Sequence, residues 1–220
     1  EGQDFLPGWR DALLRLLRPE GRAWWLEDPL QNLYGRAPVE LPGWVTLHAR
    51  TNYRSPRDIV GTLQKLLGDG QLESGSPLDG SEVDILTYRD AAELMDRTKT
   101  AITRGMGAGF KKNLIVLLSY RGREHSLFTP LDRLGPHGLR AFTGHYDLFG
   151  NPVYLDGELL IDSIHRFKGQ SAPCVVFTEI DFETLDEAAL KKLFVGMTRA
   201  TMKLVLVMSE RAAAALLARL

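Results

Sequence analysis

Cysteine is all but missing from these 220 residues: the one thiol, Cys174, sits inside an apolar run. No internal disulfide is available, and a buried structural thiol in a reducing, cytoplasmic setting is expected. Long apolar stretches are missing too. Leu114 to Leu118 is a typical run, far short of the roughly 20 residues a spanning helix needs, so no membrane partner is expected. No signal-peptide pattern opens the chain, and there is no initiator Met, which suggests a fragment of a longer protein. Charge of one sign is not in excess either, the formal net charge being -1. That excludes a globally basic surface but not a local groove for nucleic acid. Finally, the phosphate cradle Gly-x-x-x-x-Gly-Lys-Ser/Thr occurs nowhere. The cluster Gly105-Met106-Gly107-Ala108-Gly109 lacks that spacing and reads as a helix terminator.

What is present is length enough for one sizeable α/β core with a small piece of a second domain. Apolar spacing predicts a helix between Pro7 and Pro19, and Ala23 to Leu26 reads as a strand. The Pro- and Gly-containing connector Gly35 to Gly43 places the domain boundary between 1–40 and 41–220. Val45-Thr46-Leu47 opens the second part as a strand. A helix with Pro56 in its first turn carries Ile59, Val60, Leu63, Leu66 and Leu67 and stops at Gly68. Gly68 to Gly80 is an exposed loop, Val83 to Tyr88 a strand. Asp90 caps a helix with Ala91, Leu94, Met95, Thr98 and Ile102 inward. Leu114 to Leu118 is a strand buried on both faces. A short helix over Glu124 to Leu134 and a hairpin fill the interval to the strand Leu159 to Asp162, and Arg211 to Leu220 is helical.

The organising stretch lies near the end. Ser163-Ile164-His165-Arg166-Phe167-Lys168-Gly169-Gln170-Ser171 leads into the apolar run Cys174 to Phe177. Thr184-x-x-Glu187 reads as a capping box for a helix running to about Arg199. Lys203 to Met208 is a second apolar run, so the whole is a βαβ unit of a parallel sheet. The helix delivers Thr198 and Arg199 beside strand ends, where open α/β sheets bind ligands. An arginine there suits phosphate, because its fixed fork of donors matches two phosphate oxygens.

These residues carry a resemblance. Ser163 to Gln170 is similar to motif V of superfamily I helicases, and Leu193-Phe194-Val195-Gly196-Met197-Thr198-Arg199-Ala200 to motif VI. Asn52-Tyr53-Arg54-Ser55-Pro56 matches motif IV, Ser119-Tyr120-Arg121 motif IVa, and Asp28-Pro29-Leu30-Gln31-Asn32-Leu33-Tyr34 motif III. Glu1-Gly2-Gln3-Asp4 looks like the tail of motif II. Together they resemble the UvrD/Rep group, in its compact form without the large insertion between Arg121 and Ser163.

The resemblance implies an α/β, RecA-like second lobe with a mostly parallel sheet, preceded by a remnant of the first lobe. It implies ATP and Mg2+ as cofactors, both held mainly by the N-terminal RecA-like lobe of the parent chain, and single-stranded or partly duplex DNA as partner. Arg199 and Arg54 would reach the γ-phosphate, Gln31 would sense it, and Glu1 stands where the family keeps its general base. Tyr53 would stack near the adenine, with Gly169 and Ser171 beside the nucleotide. Ser163, His165, Arg166, Lys168 and Tyr34 would face the nucleic acid. Ser171 replaces a ribose-binding Glu, no base-stacking aromatic follows Tyr34, and Gly196-Met197 replaces Ala-Leu, a milder change. A non-catalytic, helicase-like module that binds nucleic acid or a partner is the alternative. On the catalytic reading Arg199 lines an open cleft and contributes little to the core, so its removal leaves the melting temperature nearly unchanged.

Overall fold

A computed structural model describes residues 1–68, 70, 72–80 and 82–219. The chain divides into two compact units, Glu1–Ala49 and Arg50–Leu220. The first contains helix α1 (Pro7–Arg15), opened by Pro7 at a position where the missing N–H costs nothing, and two single-turn 3-10 helices, Gly2–Asp4 and Pro29–Gln31. None of the residues of α1 is buried. The expected strand at Ala23 to Leu26 does not form: these residues carry no regular structure and pair with no strand.

In the second unit the order is β1 (Thr51–Asn52), α2 (Arg57–Leu67), β2 (Glu73–Ser74), β3 (Asp84–Tyr88), α3 (Ala91–Gly107), β4 (Ile115–Ser119), β5 (Arg133–Leu134), β6 (His137–Tyr146), β7 (Pro152–Tyr154), β8 (Leu159–Ser163), β9 (Ala172–Ile180), α4 (Glu187–Met197), β10 (Ala200–Ser209) and α5 (Glu210–Leu217). Short strands β1 and β2 pair with each other. The main sheet has the order β3-β10-β9-β4-β8-β6-β5, with β7 against β6. Every pairing from β3 to β6 along that path is parallel, and β5 and β7 join β6 antiparallel.

β4 and β9 lie at the centre. Their apolar residues fall on odd and even positions alike, and only a strand covered on both faces can bury such a run. Ile115, Leu117, Leu118, Val175, Val176 and Phe177 are accordingly all buried. Helix α3 covers β3, β10 and β9. It is capped by Asp90, whose carboxylate accepts from Glu93 N at 2.9 Å, and its stripe Leu94, Thr98, Ala101, Ile102 faces inward. Ala91, expected inside, is exposed at the first turn. The glycine cluster ends the helix: a side chain on Gly105 would crowd Cys174 and Ile115, and Gly109 takes a φ of +93°. This is the α/β lobe of parallel strands flanked by helices that the resemblance implied.

Four local expectations are corrected. Val45 and Leu47 are exposed and form no strand; pairing starts at Thr51. Pro56 precedes α2 as its cap rather than entering its first turn. No α-helix spans Glu124 to Leu134. The segment makes a single 3-10 turn, because Ser126 Oγ accepts from Phe128 N and Thr129 N, and Arg133–Leu134 is drawn into a hairpin with β6. Helix α4 is capped by Asp186, which accepts from Ala189 N at 2.7 Å, and not by Thr184. Asp is the stronger cap, and Glu187 is left free to pair with Lys191 one turn on. Expectations that touch 69, 71 and 220 lie outside the described residues.

Candidate functional site

A helix joining two parallel strands must run back against them, so its C-terminus lies at the strands' amino ends. That geometry puts Thr198 and Arg199 at the start of β9 and β10, where Ala172 N donates to Arg199 O at 2.9 Å. The ligand-binding crevice of open sheets lies at the other, carboxyl ends. The expectation that Arg199 sits in that crevice is thus corrected by the direction of α4.

Nor is Arg199 open. It is only 1 % exposed and the largest fully buried side chain. Nε–H donates to Val195 O at 2.9 Å, one Nη to Gln170 O at 3.1 Å, and the other to Thr198 Oγ1 at 3.0 Å. A buried guanidinium is tolerated because its donors are met in this way. The expectation that Arg199 lines an open cleft and adds little to the core is therefore corrected, and its removal is now expected to lower the melting temperature.

The chain from Ile164 to Ser171 connects the carboxyl end of β8 to the amino end of β9. Two apolar anchors, Ile164 and Phe167, are buried, and Ile164 N donates to Ser119 O at 3.1 Å. Ser163 is buried at the start of the segment, and Phe167 N donates to its carbonyl. Gly169 has a φ of +82°, a conformation that other residues adopt only with strain. Gly169, Gln170 and Ser171 are exposed at the amino end beside Arg199. The segment therefore reaches both ends of the sheet: Ser163 marks one end and the Gln170 carbonyl touches Arg199 at the other.

His165, Arg166 and Lys168 are half-buried. Burial, then the charges of Lys192 and Lys168, lower the pKa of His165 below 6.5, so it is neutral at pH 7. Arg166 pairs with Asp162 at 3.2 Å and lies 3.8 Å from the centre of the Phe142 ring. Burial raises the pKa of Asp162, against the pull of the Ser163 N–H and Arg166.

Arg54 is exposed, and its position is set by Asn52, whose Oδ1 accepts from Arg54 N and Ser55 N, both at 2.9 Å. Tyr53 is exposed, its ring against Gly75. A side chain on Gly80 would touch Pro56 and come within 3.7 Å of Met202 O. Motif IV therefore lies at the amino end of β10, the end that holds Arg199.

In the first unit, Glu1 and Gln31 are joined by a chain of hydrogen bonds. Gln3 Nε2 donates to Glu1 at 2.6 Å, Asp28 N to Gln3 Oε1 at 3.0 Å, and Gln31 Nε2 to Asp28 at 2.8 Å. Tyr34 is exposed with the Arg36 guanidinium 5.5 Å from its ring.

Sequence reading missed Glu179. It is fully buried with a φ of +60°, and two residues of β9, Thr178 and Glu179, oppose only Val207 of β10. That bulge turns its carboxylate toward Ser119 Oγ (2.5 Å), Ser126 Oγ (2.6 Å) and Leu127 N (2.7 Å). It ties the end of β4 to the turn that follows. A carboxylate inside a run destined for a central strand was the signal available.

Among the described residues no three His, Cys, Asp or Glu stand together as a metal site, and no helix is long and apolar enough to cross a membrane. No curated protein matches in sequence. In fold the chain is similar to the C-terminal domain of a possible DNA helicase from Lactobacillus plantarum WCFS1, with a TM-score of 0.55 at 16% identity, covering 76% of this chain and 92% of that one. Residues 158–207, which hold β8, the loop after it, β9, α4 and most of β10, match the family model described as UvrD-like helicase C-terminal domain.

Proposed function

We propose that the chain is the C-terminal RecA-like lobe of an ATP-dependent superfamily I DNA helicase or translocase, working with the first lobe of the same parent. The observation that carries this reading is the segment after β8. One end meets His165, Arg166 and Lys168, a sequence-indifferent surface for phosphates of single-stranded or partly duplex DNA. At the other end the Gln170 carbonyl accepts a hydrogen bond from Arg199. A single short segment thus connects a nucleic-acid surface to an arginine of the nucleotide end.

ATP with Mg2+ supplies the phosphoryl-transfer chemistry, and the first lobe holds most of both. Arg54, exposed at the amino end of β10, fits a γ-phosphate as it stands. Arg199 fits once it exchanges a protein carbonyl for a phosphate oxygen. Tyr53, Gly169 and Ser171 line the same end, and Gln31 and Glu1 belong to the water- and phosphate-sensing network of the first unit. The exposed Trp9, Leu13, Leu16, Trp24 and Leu26 of that unit suit docking against further protein.

The isolated chain is expected to show no ATPase, with or without single-stranded DNA, since it has no phosphate cradle. Turnover above a mock preparation, abolished by Arg199→Ala, would overturn this. The burial of Arg199 favours a second reading, a non-catalytic lobe in which it is purely structural. An intact phosphate cradle in the parent, with DNA-stimulated ATPase lost in Arg54→Ala, decides for the motor; full activity in that variant decides against it.

A further inference from the structure

Beyond the contact of Phe142 with Arg166, the hairpin of β6 and β7 has no role in the site described above. Its tip, Asp147 to Asn151, exposes Leu148 at 101% and Phe149 at 89%, and the turn that presents them is braced. The Asp147 carboxylate accepts from Phe149 N at 2.9 Å, Asn151 N at 2.8 Å and Asn151 Nδ2 at 3.0 Å. Two large apolar side chains are thus held in solvent by a built turn, an arrangement that loses free energy unless something covers them.

The body of the hairpin says what that is. Phe142 packs edge-on to Tyr146 at 5.3 Å and lies 6.0 Å from Tyr154. Guanidinium groups stack on these rings: Arg166 at 3.8 Å and Arg123 at 5.0 Å from Phe142, and Arg140 at 5.8 Å from Tyr154. The nearby carboxylates are engaged, Asp147 within the turn and Asp162 with Arg166. Tyr146 itself is 59% exposed. Cations interleaved with aromatic faces, ending in exposed rings, are complementary to a single strand, whose phosphates seek the former and whose bases stack on the latter. Arg166 belongs both to this ladder and to the segment after β8, so the two surfaces are continuous.

We propose that the hairpin is a base-stacking platform for single-stranded nucleic acid, with Tyr146 and Phe149 as the stacking rings and Arg123, Arg140 and Arg166 as phosphate contacts. The proposal rests on the nucleic-acid reading above and extends the bound strand beyond the loop.

The test compares fluorescence anisotropy of the 220-residue chain with dT15 and with a 15-unit abasic strand, which keeps the phosphates and removes the bases. The chain should prefer dT15 at least about five-fold, the low end of what one base–aromatic stack contributes. Phe149 is 89% exposed and joins the turn through its backbone N–H, which alanine keeps, so Phe149→Ala is expected to fold normally. It should cut the preference several-fold and leave abasic affinity within two-fold, and Tyr146→Ala should act in the same direction. Equal affinity for both strands, or a preference unmoved in Phe149→Ala, overturns the platform and leaves the nucleic-acid reading standing. Binding to neither strand overturns both. Loss of affinity for both strands in Phe149→Ala would assign the residue to something other than stacking and also overturn the proposal.

Discussion

Replacing Arg199 by alanine separates a residue that builds the lobe from one that only reaches out of it. In the structure the side chain is 1 % exposed and donates to Val195 O, Gln170 O and Thr198 Oγ1. Hydrogen bonds from a charged donor contribute about 1.5–3 kcal/mol each, and the carbonyl of Gln170 is left without this donor in the variant. The buried methylenes add about 0.8 kcal/mol apiece. Removing a guanidinium that was expensive to desolvate offsets part of the loss. The net expectation is about 3–4 kcal/mol, which for a unit of this size lowers the melting temperature by roughly 6–16 °C. Arg199→Lys keeps the charge and much of the stem but not the planar fork, so it should fall between wild type and alanine. Circular-dichroism melts of the three proteins check the series. If Arg199→Ala melts within about 2 °C of wild type, these hydrogen bonds are not part of what holds β9 and α4 together. In the complete parent, assayed well below the variant's melting range, the proposed γ-phosphate contact predicts a kcat loss of roughly 10³-fold or more. A variant that loses stability and keeps kcat is structural only.

Glu179→Ala removes three hydrogen bonds from the fastening at the end of β4 and should destabilise by about 3 kcal/mol, with Glu179→Gln milder because the amide retains one acceptor; urea titrations would show it, and unchanged midpoints would mean the bulge holds itself. Gly196→Ala should be severely destabilising, since a Cβ there meets the Phe177 ring, and shrinking the ring in a Phe177→Leu/Gly196→Ala double variant should recover part of the loss in the same titrations. His165 has a pKa depressed by burial, Lys192 and Lys168. Its contribution to stability is therefore complete above pH 6.5 and declines as pH falls through the folded pKa, whereas His165→Gln should lose less between pH 6.5 and 5; identical pH profiles would show that His165 is not the group responsible.

The departure at Gly196 shows how a residue that looks mild in sequence is severe in space. The substitution of Ala by Gly loses one methyl, yet the room it leaves is filled by a phenylalanine from the neighbouring strand. No spacing rule connects positions 177 and 196, because the contact arises only when α4 folds back onto β9.

Periodicity and breakers were enough for the elements whose cues are local. The face of α2 with its stop at Gly68, the cap at Asp90, the glycine end of α3 and the doubly buried strands β4, β9 and β10 all follow from side-chain chemistry within a few residues. The two motifs likewise carried the resemblance, since their residues occur in order along the chain and fall within the stretch 158–207 that matches the family model. Local cues failed where partners lay elsewhere. Val45 to Leu47 has strand-like residues but no neighbour to pair with, and Arg133–Leu134 became a strand because β6 was there to receive it. Above all, sequence named Arg199 but could not tell which end of the sheet it occupies or whether it is exposed. The direction of a crossover helix and the closing of Gln170 over the guanidinium are properties of the assembled sheet, and only tertiary structure decides them.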